Sequence, residues 1–499
     1  MPVSEPTSIF KGALLTVLMR WSDRLIGFVS TLILARLLVP ADFGIIAMAS
    51  LVIGLVDVLL DLGVNVALIQ NRHATPEHYN SAWTLRLIQA TGAALIVLFI
   101  APFAVDYFHD ARVKPVLQVL ATGLLLASLE NIGVITFQKE MRFGLDFRYT
   151  FLKRIVGFLV TITAAWLFRS YWALVIGTLT GRLFGVLLSY QMHAMRPRFS
   201  LAKFKEIFSV SQWMLVASIG GYLDNNLHKL IVGGGANSAT MGGYTLGDDI
   251  SAMPGSELLA PLNRVLFPAF VRVKHDLSDL KRLFLLAQGV QTLVVVPASM
   301  GLALLAHEAV VVLLGEKWLL AVPFVQVLAL ANMVRAITTS GIHVMIALGR
   351  VWSSAFLSWM QVLLLAAIAL IFLQGPDALQ VAWIRFLTVL AGLPLAVWLL
   401  MHTLRNVGLM DIMRSIVRPL LGTGIMALAI TTVGALTQFP PFPALLVKIA
   451  TGVITYSTAI MFMWRLSGKP FGAESYLLSK VAALRKRDEG RPSPMPLEN

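Results

Sequence analysis

From Lys11 to Arg465 the chain is a succession of apolar blocks of about 20 residues, each long enough to cross a hydrocarbon layer as a helix, with only short interruptions between them. A backbone in lipid must satisfy its own hydrogen bonds, so blocks of this length and composition can only be helices. The sequence therefore predicts an all-α integral membrane protein of about fourteen transmembrane helices. Hydrophobic residues fill 57% of 499 positions and charged residues 13%. No segment is left over for a soluble catalytic domain, so an enzyme is not expected.

The spans fall at about 11–38, 43–69, 82–105, 115–137, 148–168, 171–192, 207–232, 243–265, 283–306, 322–347, 351–373, 378–402, 415–436 and 444–465. Pro40, the run Gly233-Gly234-Gly235, the pair Gly375-Pro376 and the stretch Pro440 to Pro443 all fall where a turn is needed.

A net charge of +14 raises the question of nucleic acid, and the placement of that charge answers it. With the first helix starting in the cytoplasm, the loops on that side collect about 27 of the 40 Lys and Arg, against about five on the other. Both termini are then cytoplasmic, and no nucleic-acid partner is implied. The first apolar stretch carries Arg20, Asp23 and Arg24, unlike a cleaved secretory signal, and reads as a retained helix.

Cofactor chemistry finds no support. Cysteine is absent, which excludes disulfides, thiolate zinc sites and iron–sulfur clusters. There is no GxxxxGK[ST] loop and no HExxH, the nine histidines lack ligand spacing, and Asp248 and Asp249 are adjacent. Met and Trp belong to apolar faces and interface belts.

The chain repeats itself. Pro115-Val-Leu-Gln118-Val-Leu-Ala121 recurs about 208 residues later as Pro323-Phe-Val-Gln326-Val-Leu-Ala329, and at the same shift Gly133 meets Gly341 and Arg142 meets Arg350. The turn from Leu38 to Gly44 has a looser counterpart in the turn from Gly235 to Gly243. This is a parallel duplication: two pseudo-symmetric six-helix bundles, residues 1–203 and 204–404, then two C-terminal helices, residues 405–468, and a basic cytoplasmic tail, residues 469–499, with Arg485-Lys486-Arg487. Two similar lobes that rock about a shared cavity expose it to alternate sides, which is a transporter geometry.

Charges inside the spans are costly and need a partner or a wet cavity. Arg20, Arg24, Gly27 and Thr31 share one face of the first helix at 100° per residue, and Gly54, Asp57, Asp61 and Asn65 share one face of the second. Helix 7 contributes Asp224, Asn225, His228 and Lys229, helix 3 Arg86, and helix 10 Arg335 and His343. The joint reading is a hydrated cavity with a basic lining and compensating carboxylates. Each residue also has a plainer role open to it. Arg20, Arg86 and Lys229 can snorkel to an interface, Asp57 and Asp61 can pair with Arg20 and Arg24, and His343 can be a packing histidine.

The run Leu34 to Gly44, with Pro40-Ala-Asp42-Phe43-Gly44 at its end, and Ala67-Leu-Ile-Gln70 resemble the first two helices of Wzx-type lipid-linked oligosaccharide flippases of the colanic-acid and exopolysaccharide subgroup. Asp224 ahead of Lys229-Leu-Ile-Val-Gly233, the turn ending Gly243-Tyr244, and Leu266-Phe-Pro268-Ala-Phe270 before Lys274-His-Asp276 resemble that subgroup's helices 7 and 8. The resemblance implies a member of the multidrug/oligosaccharidyl-lipid/polysaccharide exporter superfamily. It would move an undecaprenyl-pyrophosphate-linked oligosaccharide across a bacterial inner membrane, among membrane lipids and beside the polymerase and glycosyltransferases of its pathway. Arg20, Arg24, Arg86 and Arg335 are the candidates for binding the pyrophosphate. The resemblance also implies ion coupling, for which Asp57, Asp61 and Asp224 are the candidates. The alternatives are a peptidoglycan-precursor or multidrug exporter of the same superfamily, or a membrane glycan polymerase. The short external loops count against a polymerase, and the basic lining counts against a cationic drug.

Overall fold

The computed structural model describes the backbone of residues 6–60, 63–71, 73–208, 212–373, 375, 377–437, 439–470 and 472–479, and no strand occurs among them. Fourteen helices have 16 or more residues: α1 (Pro6–Leu37), α2 (Pro40–Leu60), α3 (Pro76–Phe108), α4 (Val113–Ser128), α5 (Phe143–Phe168), α6 (Trp172–Met192), α7 (Gln212–Gly235), α8 (Ser238–Val273), α9 (Leu277–Leu304), α10 (Val322–Ala347), α11 (Val351–Phe372), α12 (Ala378–Thr403), α13 (Leu409–Leu436) and α14 (Pro441–Leu466). Among the described residues, ten helices are long and apolar enough to cross a membrane, or eleven when α4 and the short helix Ile135–Lys139, bent by 65° to it, are taken as one span. The long helices α1, α7 and α8, each with charged or polar residues in its middle, fall outside that count.

Two expected spans are broken. The stretch 43–69 is not one helix: α2 ends at Leu60, Gly63 takes the left-handed conformation (φ 60°), and a new helix begins at Val64. The helical register that linked Asp57 with Asn65 is lost there. The stretch 115–137 breaks at Leu129–Asn131, where Asn131 accepts from Gly133 N–H (2.9 Å) and donates through Nδ2 to the carbonyls of Met195 (2.7 Å) and His193 (3.2 Å). One side chain thus ties the break to the end of α6.

The chain forms two compact units. The first comprises Met1–Leu246 with Leu313–Leu320 and Leu373–Val381. In it α5 packs against α6 and α1, α3 against α4, and α2 against α3, α4 and α7. Between helices in lipid there is little hydrophobic driving force, so close packing of small residues decides the pairing. Gly177, Gly181 and Gly185 recur every fourth residue along α6. A methyl on Gly177 would lie 1.7 Å from Thr161 Oγ1, and one on Gly181 3.4 Å from the Cα of Gly157, so α5 and α6 meet backbone to backbone.

The second unit comprises Gly247–Val312, Ala321–Phe372 and Ala382–Asn499. Here α9 packs against α10 and α13, and α13 against α14. Phe270, Leu280, Phe284, Val344, Leu404 and Ile412 form a buried core at one end of these helices. Asp276 starts α9 by accepting from the backbone N–H groups of Ser278 (2.8 Å) and Asp279 (3.1 Å), and the Ser278 hydroxyl (2.5 Å), with those two N–H groups, holds its carboxyl below the usual carboxylate range.

The repeat has a local structural signature, one copy in each unit. Arg142 N–H donates to Phe137 O (2.7 Å) and Arg350 N–H to Met345 O (2.9 Å), while Met141 and Gly349 are left-handed, at φ 56° and 76°. Both are the same left-handed turn closing a helix, with a new helix beginning at Phe143 and at Val351.

Candidate functional site

The Pro40-Ala-Asp-Phe-Gly44 turn is architectural. Asp42 Oδ1 accepts from Tyr171 N–H (3.1 Å) and Oδ2 from Val39 N–H (3.2 Å), fixing the start of α2 to the start of α6. Phe43 meets Trp318 edge to face at 5.1 Å, and Trp318 donates to Ala35 O (2.8 Å). A methyl on Gly44 would lie 1.7 Å from Ser238 O, and one on Gly242 1.9 Å from Pro40 O. Beside this crossing Arg112 donates to Ser238 Oγ (2.9 Å) and, through its ion pair, holds the Asp110 carboxyl below the usual range.

A cavity of about 310 Å³ opens within the first unit, walled by Asp57 and Leu60 of α2, Arg86, Gln89 and Ala93 of α3, Leu124 and Ser128 of α4, and Arg182 of α6. The last residues of α2 and α4 present backbone carbonyls that no helical N–H can reach. Gln89 donates to Leu60 O, and Arg86 Nη2 to Ala127 O (3.1 Å). Arg86 is thereby held at the negative end of α4, where a cation is favoured, with its side chain still on the cavity wall. Arg182 is half-buried, and Gly123 makes room for it: a methyl there would lie 2.9 Å from Arg182 Nη1. Asp57 is exposed to the cavity, and its charge and that of Glu130 reach Arg182.

Just past Ser128, Glu130 is buried and paired with Lys153 of α5, whose ammonium stands over the Tyr149 ring at 5.7 Å. Gly185 accommodates the pair, since a methyl there would lie 2.8 Å from Lys153 Cδ and 3.0 Å from Glu130 Oε1. The guanidinium of Arg154 reaches α1, with Nη2 3.2 Å from where a methyl on Gly27 would stand.

Of the seven residues singled out from sequence, Asp57 and Arg86 meet in this cavity. Arg24 is half-buried on α1 and is not among the wall residues; Asp224 is buried on α7, near His228, whose Nδ1 pairs with Tyr244 Oη at 2.8 Å. Arg335 is half-buried on α10 in the second unit, one turn from a buried amide cluster in which Gln291 donates to Ala336 O (2.8 Å) and Gln288 to Ile337 O (2.5 Å). The side chain of Arg20 and the whole of Asp61 lie outside the described residues. Sequence reasoning missed Arg182, Glu130 and Lys153. All three carried a usable signal, as charges inside the 171–192, 115–137 and 148–168 spans.

The sequence of residues 33–323 matches the family described as polysaccharide biosynthesis protein. An uncharacterized membrane protein in the cps region of Klebsiella pneumoniae is 25% identical over 317 residues, 62% of this chain and 65% of that one. The teichuronic acid biosynthesis protein TuaB of Bacillus subtilis is 25% identical over 414 residues, 80% of this chain and 84% of that one. The lipopolysaccharide biosynthesis protein WzxC of Escherichia coli K12 is 24% identical over 316 residues, 62% and 64% of the two chains. The matched region thus spans just under two thirds of the Klebsiella and Escherichia proteins. Among solved structures, the lipid II flippase MurJ in an inward closed conformation superposes with a TM-score of 0.72 at 14% identity, covering 91% of this chain and 99% of that one. An inward-facing multidrug resistance MATE family transporter of the MOP superfamily gives 0.58 at 13% identity, covering 77% and 96%. At these identities the likeness is one of fold, an all-helical transporter architecture.

Proposed function

Because this chain belongs to the polysaccharide biosynthesis protein family, we propose that it is a flippase carrying an undecaprenyl-pyrophosphate-linked oligosaccharide between the leaflets of a bacterial inner membrane by alternating access. The observation that carries the reading is the pairing of Arg86 and Arg182 on one cavity wall inside a membrane-spanning unit. A fixed anion with many hydroxyls cannot cross bare hydrocarbon, and guanidinium groups offer it two-point hydrogen bonds at a fixed charge. At about 310 Å³ the cavity is at the small end of ligand pockets, suited to the pyrophosphate rather than to the sugars. The prenyl chain stays in lipid. The names of the relatives support a cargo bound for an extracellular or surface polysaccharide.

Asp57 is the counter-charge in this scheme. Neutralised by Arg86 and Arg182 when cargo is absent, it must be released or protonated when the pyrophosphate takes both guanidiniums, and so it carries the ion-coupling role among the described acidic candidates. Arg24 and Arg335 are kept as cargo contacts in other conformations of the cycle, and Asp224 as a structural acid. Termini in the cytoplasm follow from the loop-charge bias, and the polymerase and glycosyltransferases of the same pathway are the partners the reading implies.

The test is flipping by the purified chain in vesicles, with an undecaprenyl-pyrophosphate-linked oligosaccharide whose sugar is scored by a glycosidase that reaches only the outer leaflet. Wild type is expected to expose the sugar and Arg182→Gln to slow exposure by about tenfold or more. Equal rates with and without protein would end the reading.

A further inference from the structure

The second unit holds a larger cavity, of about 680 Å³, that uses none of the residues above. It is bounded by the N-terminal turns of α9 and α13 and by the chain just after α14, so it sits toward the ends of these helices. Arg282, Arg414 and Arg418 line it, against the two carboxylates of Asp411 and Glu474. Both acids are already engaged: Lys281 Nζ donates to Asp411 Oδ2 (2.6 Å), and Arg418 Nε to Glu474 Oε1 (3.3 Å). Arg418 Nη1 is buried without a hydrogen-bond partner among the described residues. A buried guanidinium nitrogen with no acceptor is costly unless an anion reaches it.

The apolar surroundings are equally specific. Met410, Met413 and Val417 on the first turns of α13 are 64%, 38% and 41% exposed. Beyond Glu474 an apolar cleft of about 210 Å³ continues along Leu293, Ile460, Met461 and Trp464. The helical segment 473–479 borders both spaces, with Glu474 on the wall of each and Ala473 packed 3.1 Å from where a methyl on Gly289 would stand. A cationic chamber leading into an apolar slot has the polarity of an amphiphile. The flanking segment from Arg272 to Arg282 is on the side that the charge bias gives to the cytoplasm, where anionic lipids attract basic residues.

We propose that this is a binding site for a resident anionic glycerophospholipid, with its phosphodiester on Arg414 and Arg418 and one acyl chain in the cleft. With Asp411 held by Lys281 and Glu474 by Arg418, the cations at the cavity outnumber its carboxylates, which favours an anionic headgroup. The site is independent of the cargo and would stand if the flippase reading fell.

The experiment uses the full chain, delipidated in detergent, and scores retained lipid by native mass spectrometry. Phosphatidylglycerol is expected to stay bound and to raise the apparent Tm, and phosphatidylcholine is not. Arg414→Gln combined with Arg418→Gln lowers phosphatidylglycerol retention about tenfold, whereas Arg272→Gln, outside the cavity, leaves it unchanged. Should the double variant fail to fold, Arg414→Gln alone removes an exposed arginine and is expected to lower retention about threefold at an unchanged lipid-free Tm. Equal retention of phosphatidylcholine, or unchanged retention in both arginine variants, overturns the proposal. Displacement of the lipid by equimolar inorganic phosphate would show a simple anion site, and displacement by equimolar undecaprenyl phosphate a cargo site; either result also overturns it.

Discussion

Gly44 and Gly242 cross so closely that each stands where the other element's backbone would exclude a side chain: a methyl on Gly44 meets Ser238 O at 1.7 Å, and one on Gly242 meets Pro40 O at 1.9 Å. The most recognisable sequence motif of the chain therefore records a helix crossing, not a binding site. It locks the entry of α2 to the entry of α8 within the first unit.

Substituting Gly44→Ala forces that crossing apart, since the opposing atom is a backbone oxygen and cannot rotate away. Overpacking of this kind costs about 1–3 kcal/mol, and the rigidity here places the cost at the upper end. The apparent Tm of the purified protein is expected to fall, while Gly424→Ala, which meets nothing within 4 Å, leaves it unchanged or slightly raised.

Glu308 and Lys448 form an ion pair in the second unit with side chains only 12% and 17% exposed. Glu308 Oε2 is buried with no hydrogen-bond partner among the described residues, so the carboxylate leans on the one ammonium. Lys448→Met leaves that charge buried alone and is expected to cost about 3–5 kcal/mol. Glu308→Gln together with Lys448→Met should restore most of the loss. A thermal-stability cycle checks this, and additive single effects would contradict the pairing.

His193 lies just beyond α6, with its ring against Gly133, where a methyl would come within 2.2 Å of Nδ1. Burial pushes its pKa below the ordinary 6.5, with Nδ1 accepting from Met195 N–H at 3.1 Å. The unfolded chain then binds a proton that the folded one refuses, so stability rises with pH across this window. The His193 contribution is fully present above about 6.5 and is lost as pH falls from there toward the folded value. Apparent Tm should drop between pH 7.5 and 5.5, and His193→Gln should flatten that slope.

The helical class and the places of most spans were legible because apolar length carries them. The left-handed turn at Gly63 and the break at Leu129–Asn131 were not, since each lies beside a long-range tie: Gln89 reaching Leu60 O, and Asn131 reaching Met195 O across 64 residues. The site was half legible. Asp57 and Arg86 stood out as charges inside apolar spans, and Arg182 met the same criterion but was passed over. That these three share one wall follows from how α2, α3 and α6 pack, which no local pattern encodes. Glu130 and Lys153 also lay inside expected spans, 115–137 and 148–168, and were passed over in the same way.

The central claim is that Arg86 and Arg182 line a watery chamber that receives the cargo's phosphates. The chain has no cysteine, so single replacements report without background. The direct measurement is the labelling rate of Ala90→Cys, on the cavity wall, by a membrane-impermeant thiol reagent, with and without undecaprenyl pyrophosphate, against Trp166→Cys on the 64% exposed face of α5. Fast labelling at 90 that the pyrophosphate slows, with 166 inert, is the result this account requires. Labelling at 90 no faster than at 166, or unchanged by the pyrophosphate, would contradict it.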